Sequence, residues 1–202
     1  MRSMVPDTII IPVLMVLGAA IGSFLNVVIY RVPLKMSVIS PSSHCFSCKE
    51  PIKIQDNIPI LGYFLLGGKC RKCKKPISFR YVVVELLSII SFVLIYYLFA
   101  LSWTTLLLII LSLGFIIIFF IDLEHFIIPN LVTFPLIAIG FLKSFIPDLD
   151  PIFPNYVMSL IGGIFGYGII WAIIFFYKQV KNKEGMGLGD AKLLAVIGFW
   201  FG

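Results

Sequence analysis

Two aspartates occupy positions where a carboxylate is costly and therefore informative. Asp122 ends one long apolar run, and Asp190 closes the glycine-rich segment 185–190 just ahead of another. A carboxylate at membrane depth usually faces a cavity or a partner and marks a functional site. Two of them at one membrane face favour an acid–base dyad for hydrolysis, in which one carboxyl holds the shared proton. Each also has a structural interpretation, Asp122 as a helix cap and Asp190 as an N-cap that ends a flexible linker.

A second set of reactive side chains consists of cysteines. Two Cys-x2-Cys pairs, separated by 21 residues, are formed by Cys45, Cys48, Cys70 and Cys73. Paired knuckles of this kind suit a structural, tetrahedral zinc ion, because each short turn offers two thiolates and four cysteine ligands leave no open position for water. Disulfides and a redox-active pair are the disfavoured alternatives. His44 adjoins the first pair and could compete as a ligand, but we expect a surface histidine.

Three further polar residues near the apolar runs have open interpretations. Glu85 lies a few residues into an apolar run, where it either pairs with Arg80 or Lys75 at the interface or has a functional role. Glu124 is two positions beyond Asp122, which on a helix would turn it away from that aspartate, and we predict a solvated loop residue. His125 is at most an outer neighbour of the site.

Composition identifies the class of protein. Of 202 residues, 60% are hydrophobic and 13% are charged, and the mean hydropathy is +1.06. Soluble domains carry about 25% charged residues, so the chain is predicted to be an integral membrane protein. Its first apolar run, 8–30, is long enough to span a bilayer. A signal peptide is disfavoured there, because the run exceeds an h-region and no small-x-small cleavage site follows.

The apolar runs predict an all-α polytopic membrane protein with about six spans. The spans are placed at 8–30, 81–100, 103–121, 126–146, 156–177 and from near 190 onward. The last run has only ~13 residues, too few to cross the hydrocarbon core, and we expect the chain to stop short of its natural end. The predicted domains are an anchor (1–30), a Cys-rich zinc module (31–80) and a truncated multi-span domain that carries both aspartates (81–202).

The distribution of charge predicts the orientation. Residues 31–80 contain ten of the sixteen Lys and Arg residues, and basic residues beside spans mark the cytoplasmic side, an explanation preferred here to nucleic-acid binding. Alternating the spans then places the N-terminus and the acidic loop 147–155 outside, with Asp148 and Asp150 as turn residues. The loop 178–189 falls inside, as do Asp122 and Asp190. The loop 178–189 contains the basic residues Lys178, Lys181 and Lys183, as a cytoplasmic loop should.

Several motifs occur together in one order. Besides the paired cysteines they are Gly22-Ser-Phe-Leu-Asn-Val-Val-Ile-Tyr-Arg-Val-Pro33, Asp56-Asn-Ile-Pro59, Pro76-Ile-Ser-Phe-Arg-Tyr81 with Val84-Glu85, Asp122 with Ile128-Pro-Asn130, and Gly187-Leu-Gly-Asp-Ala-Lys-Leu193. Over nearly its whole length the sequence resembles bacterial type IV prepilin peptidases. The Gly-x-Gly-Asp motif alone also occurs in presenilins and archaeal preflagellin peptidases, which the cysteine module argues against.

The resemblance implies an aspartic endopeptidase of the bacterial inner membrane, with Asp122 and Asp190 as catalytic residues at the cytoplasmic face. It implies removal of the basic leader from prepilins and pseudopilins, then N-methylation of the new terminus with S-adenosylmethionine. The methyl-donor site is not assignable, and without a G-x-G-x-x-G unit it is not of the Rossmann kind. The alternatives are a peptidase that does not methylate, a non-catalytic scaffold of a pilus or secretion machine, and a proton-coupled transporter. The partners are pilin precursors and lipid, with no nucleic acid.

Overall fold

The computed structural model describes residues 6–146, 152–181 and 187–202, and these residues form helices and no β-strand. The α-helices are α1 (Asp7–Arg31), α2 (Leu61–Leu65), α3 (Arg80–Phe99), α4 (Trp103–His125), α5 (Asn130–Leu142), α6 (Tyr156–Lys181) and α7 (Leu188–Phe201). There are also two 3-10 segments, Ile54–Asn57 and Lys143–Phe145. The predicted all-α class is confirmed.

Four of the described helices are long and apolar enough to cross a membrane, namely α1, α3, α4 and α6. They coincide with four of the predicted spans. The other two predicted spans correspond to α5, with 13 residues, and α7, with 14. Both are shorter than the ~20 residues that a crossing helix needs. The chain is therefore a multi-pass membrane protein, while the count of six spans stays a prediction.

The boundaries around Asp122 differ from those predicted. Helix α4 continues to His125 instead of ending at 121, so Asp122 and Glu124 are helical and the predicted loop position of Glu124 is wrong. Phe126 ends the helix with a positive φ of 54° while its amide donates to the Asp122 carbonyl. Helix α5 begins at 130 instead of 126, because Pro129 is extended and serves as its N-cap.

The chain divides into two compact units, Met1–Phe120 and Ile121–Gly202. In the first unit α1 packs closely against α3 because α1 carries glycine at the contact. A Cβ on Gly22 would lie 2.7 Å from the Cα of Glu85, and one on Gly18 would lie 2.9 Å from the Cα of Ile89. Small residues of this kind let helix backbones approach inside a membrane, where dispersion contacts stabilise the pair.

Polar side chains join the same two helices at both ends. The Asn26 amide donates to the Tyr81 carbonyl over 3.1 Å, and the Tyr96 hydroxyl donates to the Asp7 carboxylate over 2.6 Å. The later residue of α1 is paired with the start of α3, and the earlier residue of α1 is paired with a position fifteen residues further along α3. The two helices are therefore antiparallel. The arrangement places the end of α1 beside the start of α3, and residues 32–79 form a connection at that end.

The second unit is built around α7. Its backbone contacts α6 so closely that a Cβ on Gly198 would lie 2.1 Å from the Gly162 carbonyl oxygen. On its other side, the buried Trp200 indole donates to the Leu136 carbonyl of α5 over 2.8 Å. The ammonium of buried Lys143 donates to the Trp200 carbonyl over 2.9 Å, which satisfies an acceptor at the C-terminal end of α7.

Candidate functional site

The two predicted catalytic aspartates belong to the second unit, where one lies at the C-terminal end of a helix and the other at the N-terminal end of another helix. Asp122 occupies the last turn of α4 and is exposed. Asp190 occupies the first turn of α7 and is half-buried, and its backbone amide donates to the Gly187 carbonyl over 3.2 Å. Gly187 and Gly189 of the predicted glycine run belong to the described part of the chain, whereas Gly185 lies outside the described residues.

The segments that carry these aspartates are in contact. A Cβ on Gly189 would lie 3.0 Å from the Cβ of Ile128, in the connection that follows Asp122. In addition, Lys192 donates to the side-chain oxygen of Asn130 over 2.7 Å. The residues next to one aspartate therefore pack against residues that follow the other. The function of the two carboxylates as an acid–base pair stays a prediction.

The Lys192–Asn130 pair was missed as a structural element by the sequence reasoning. A lysine two residues after an aspartate in an apolar helix is itself unusual, because a cation at that depth needs a partner. Besides Asn130, the Lys192 ammonium lies 5.7 Å from the centre of the Phe134 ring on α5.

The four cysteines converge in the first unit, and their sulfur atoms all lie within 4.8 Å of one another. Cys45 and Cys73 are 3.7 Å apart at sulfur, and Cys48 and Cys70 are 4.0 Å apart. A tetrahedron with metal–sulfur bonds of about 2.3 Å has edges of about 3.8 Å. A disulfide would require about 2.05 Å, and all four thiols are free. The cluster can therefore hold a metal ion, and its sulfur atoms are spaced as metal ligands and not as disulfides.

The two cysteine pairs are copies of one structural unit. The sequence Cys-x2-Cys-Lys-x-Pro-Ile occurs at 45–52 and again at 70–77. In both copies the amide of the first cysteine donates to the carbonyl five residues on, over 2.9 Å, and the lysine has a left-handed φ, 59° at Lys49 and 58° at Lys74. Antiparallel bridges, His44 with Pro51 and Lys69 with Pro76, close each turn. The repeat beyond the cysteines was visible in the sequence and was overlooked.

Electrostatic contacts join the two copies, and within the first pair the thiol pKa values move in opposite directions, that of Cys48 being raised to about 11. Backbone hydrogen bonding from Cys48 lowers the pKa of the Cys45 thiol to about 6, which favours the form that binds metal. Lys72 in the second copy pairs with Glu50 in the first. The hydrogen bond that Lys72 donates to Glu50 also raises the pKa of the Lys72 ammonium. These contacts support one compact module.

His44 and Asp56 lie around this cluster. The four-cysteine cluster does not include His44, whose Nδ1 lies 2.9 Å from the Ser42 carbonyl oxygen. Asp56 accepts two hydrogen bonds from the Arg71 guanidinium, 2.8 Å from Nε and 2.5 Å from Nη2. Arg71 therefore holds the pKa of the Asp56 carboxyl below its usual range. This ion pair ties the 3-10 segment before α2 to the second cysteine copy.

Glu85 has a partner that the sequence did not predict. Its carboxylate is buried in the first unit and accepts a hydrogen bond from the backbone amide of Ile60 over 2.6 Å. Sequence reasoning had considered only Arg80 and Lys75. A contact between residues 25 positions apart has no local signal in the sequence, so only the three-dimensional structure reveals it.

Known proteins match the chain over almost its whole length. Residues 16–99 match the bacterial peptidase A24 N-terminal domain, and residues 108–202 match the type IV leader peptidase family. A prepilin leader peptidase/N-methyltransferase of Neisseria gonorrhoeae is 38% identical over 95% of this chain and 74% of its own length. A protein of the same name from Klebsiella pneumoniae is 39% identical, with 92% and 82% covered, and one from Pseudomonas aeruginosa is 32% identical, with 92% and 71% covered. No solved structure matches.

Proposed function

Because the chain belongs to the type IV leader peptidase family, we propose that it is a membrane aspartic endopeptidase that also N-methylates its product. Its substrates are prepilins or pseudopilins, from which it removes the basic leader. The observation that carries the proposal is the contact of Gly189 and Lys192 with Ile128 and Asn130, since it joins the two segments on which the aspartates stand. The name shared by the relatives supports both activities.

Asp122 and Asp190 act as the acid–base pair of peptide hydrolysis. One carboxylate takes a proton from water as the water oxygen bonds to the scissile carbonyl carbon, and the protonated carboxyl donates a hydrogen bond to the carbonyl oxygen. The tetrahedral intermediate then breaks its C–N bond, and the proton passes to the leaving amine.

The two helix ends support different roles for the two aspartates. Asp190 is in the first turn of α7, where the helix dipole stabilises negative charge, and Asp122 is in the last turn of α4, where it does not. Asp190 is accordingly the base that activates water, and Asp122 is the hydrogen-bond donor. The exposure of Asp122 leaves it accessible to a peptide that arrives from the membrane surface.

The cysteine module holds a structural zinc ion through Cys45, Cys48, Cys70 and Cys73. The donor set fits this ion, because four soft thiolates at tetrahedral spacing suit zinc and exclude a reactive water. When bound, the ion cross-links the two Cys-x2-Cys units and takes no part in the reaction. S-adenosylmethionine is the methyl donor of the second activity, and the described residues assign no site to it.

The proposed topology has six membrane segments, with α5 and α7 as the short ones, and the N-terminus outside. The cysteine module, Asp122 and Asp190 then face the cytoplasm of a bacterium, at the inner membrane. The basic residues of 31–80 support this orientation. So does the end of α6, where Lys178 and Lys181 lie in the last turn. The division into 1–30, 31–80 and 81–202 remains part of the proposal.

The test is an assay of the purified chain in lipid with a prepilin and S-adenosylmethionine, read by the intact mass of the pilin. We expect loss of the leader and a gain of one methyl group. Asp122→Asn and Asp190→Asn should each abolish cleavage, while Glu124→Gln, an exposed carboxylate on the same helix turn as Asp122, should retain it. Cleavage by both aspartate variants would refute the proposed catalytic pair. Cleavage without methylation would show that the protein lacks the proposed N-methyltransferase activity.

A further inference from the structure

The connection between α1 and α3 contains a strained turn at Ile60. Its φ of 61° and ψ of −56° are those of a γ-turn, and the Leu61 amide closes the turn on the Pro59 carbonyl over 2.6 Å. A β-branched residue at positive φ is a backbone outlier, and such strain persists only where the surroundings impose it. Here the group that imposes the conformation is the buried Glu85 carboxylate, which accepts a hydrogen bond from the Ile60 amide.

The position of Glu85 gives the depth of this turn. Helix α3 has 20 residues, or about 30 Å, which matches the hydrocarbon core of a bilayer. Glu85 lies five residues after the first residue of α3, so its Cα is about 7.5 Å inside that edge. Even with the side chain directed back toward the start of the helix, its carboxylate stays at the boundary of headgroups and acyl chains. Ile60 lies at the same depth.

The residues after the turn are apolar and uncovered. Leu61, Phe64 and Leu65 are 60%, 62% and 77% exposed, although α2 is only five residues long. Their surface continues onto a membrane-spanning helix, because the Tyr63 ring packs edge-on against Phe79, immediately before α3, with centroids 5.9 Å apart. An apolar face of this kind that continues the lipid-facing surface of a span is covered most simply by lipid.

The backbone of this segment suits a medium without water. Amides in the segment and just after it find acceptors within the chain, namely those of Ile60, Leu61, Gly62, Phe64, Leu66, Gly67 and Gly68. Gly62 makes this folding possible, since a Cβ there would lie 2.3 Å from the Asp56 carbonyl oxygen. Irregular backbone is tolerated at membrane depth only when its polar groups are satisfied in this way.

We propose that residues 58–66 form an interfacial membrane anchor, in which the apolar side chains of α2 enter the acyl-chain boundary and Glu85 holds the turn at that depth. The occupant of this face is the lipid bilayer. Exposed Lys53 and Lys69 flank the segment and suit anionic headgroups. The Cys-rich zinc module predicted at 31–80 is thus partly embedded, which places its cysteine cluster close to the membrane surface. The proposal is independent of prepilin cleavage.

The direct test places a photo-crosslinking residue, p-benzoylphenylalanine, at single positions of the full chain. Each variant is reconstituted in nanodiscs of phosphatidylethanolamine and phosphatidylglycerol, and lipid adducts are counted by intact mass after irradiation. Position 65 should form adducts about as often as position 94 on the exposed face of α3, and severalfold more often than position 54. Ile54 is the matched control, since it is 92% exposed and lies beside the Asp56–Arg71 ion pair. Adducts at position 65 no more frequent than at 54 would overturn the proposal, as would chain-to-chain adducts in their place.

A second pair of variants tests the role of Glu85. Glu85→Gln keeps an oxygen that can accept the Ile60 amide, whereas Glu85→Leu has none. Lipid adducts at position 65 should persist in the Gln variant and fall severalfold in the Leu variant. Helix content and bound metal, measured on both, establish that each chain is folded. Unchanged adducts in a folded Glu85→Leu protein would show that Glu85 does not hold the anchor in place.

Discussion

Lys192 donates a hydrogen bond over 2.7 Å to the side chain of Asn130, and this bond fastens the N-terminal part of α7 to the first residue of α5. One turn earlier in α7, Gly189 lies against Ile128. Together these contacts form a joint between the chain that follows Asp122 and the chain that carries Asp190. Any displacement of the joint moves one aspartate relative to the other.

The first prediction concerns the glycine at this joint. Gly189→Ala should reduce the rate of prepilin cleavage by about 10-fold or more, because its Cβ would lie 3.0 to 3.2 Å from three atoms of Ile128 and force the segments apart. Gly187→Ala is the matched control, since its Cβ would meet only the Gly189 amide at 3.8 Å. We expect it to cleave at nearly the normal rate. Equal losses in both variants would mean that backbone freedom, and not packing, is what the glycines supply.

The second prediction concerns the contact of α6 with α7. Gly198→Ala should lower the free energy of unfolding in detergent by about 1–3 kcal/mol, since its Cβ would lie 2.1 Å from the backbone oxygen of Gly162. Gly168→Ala, in the same helix as Gly162, has nothing within 4 Å and should be neutral or stabilising by up to about 1 kcal/mol. Urea or thermal denaturation monitored by circular dichroism separates the two outcomes. A Gly198→Ala protein as stable as Gly168→Ala would contradict the close packing.

Long apolar runs and charge were enough to predict most of the helices. The predicted spans 8–30, 81–100 and 156–177 correspond to helices at 7–31, 80–99 and 156–181. Hydropathy fixes such segments because a helix that crosses lipid must satisfy its backbone internally over a set length. The aspartates and cysteines were likewise found from residue type and spacing.

The points that the sequence did not predict are backbone conformations for which the residue types give no local signal. Phe126 and Ile60 both adopt positive φ, at positions where a glycine or asparagine would have been the local signal. The Ile60 conformation depends on Glu85, 25 residues away. The end of α4 was placed at 121, since a carboxylate after an apolar run usually marks the membrane boundary. In the structure the helix continues for one more turn, and the boundary of the apolar run is not the boundary of the helix.

The third prediction concerns metal binding. Cys45→Ser should bring the zinc content of the purified protein from about one per chain to near zero, because a hydroxyl is a poor ligand where four thiolates form the site. Cys70→Ser, at the equivalent position of the second copy, should have the same effect. His44→Ala should retain the metal, since the imidazole nitrogen Nδ1 is placed beside the Ser42 carbonyl and the ring is outside the cluster. Elemental analysis by mass spectrometry measures all three, and metal loss in His44→Ala would reinstate this histidine as a ligand.

The fourth prediction concerns the pH dependence of the Asp56–Arg71 ion pair. The hydrogen bonds from Arg71 hold the pKa of the Asp56 carboxyl below its usual range, and the Asp56 side chain is only 8% exposed. A carboxyl with a depressed pKa in the folded state stabilises the fold above its unfolded pKa of about 3.9. That contribution is lost as the pH falls through the folded value. Wild-type chain should therefore unfold at higher urea than Asp56→Asn at pH 7.

The same difference in urea midpoint should shrink as the pH falls below about 4, since a protonated Asp56 then resembles the asparagine of the variant. Metal release at low pH lowers the stability of both proteins, so the comparison between them at each pH isolates Asp56 from the thiolates. Raising the salt concentration at pH 7 should narrow the difference only slightly, because two direct hydrogen bonds accompany the charge. A gap that is constant from pH 7 to pH 3 would show that Asp56 contributes through its shape and neutral hydrogen bonds, and that its charge does not stabilise the module.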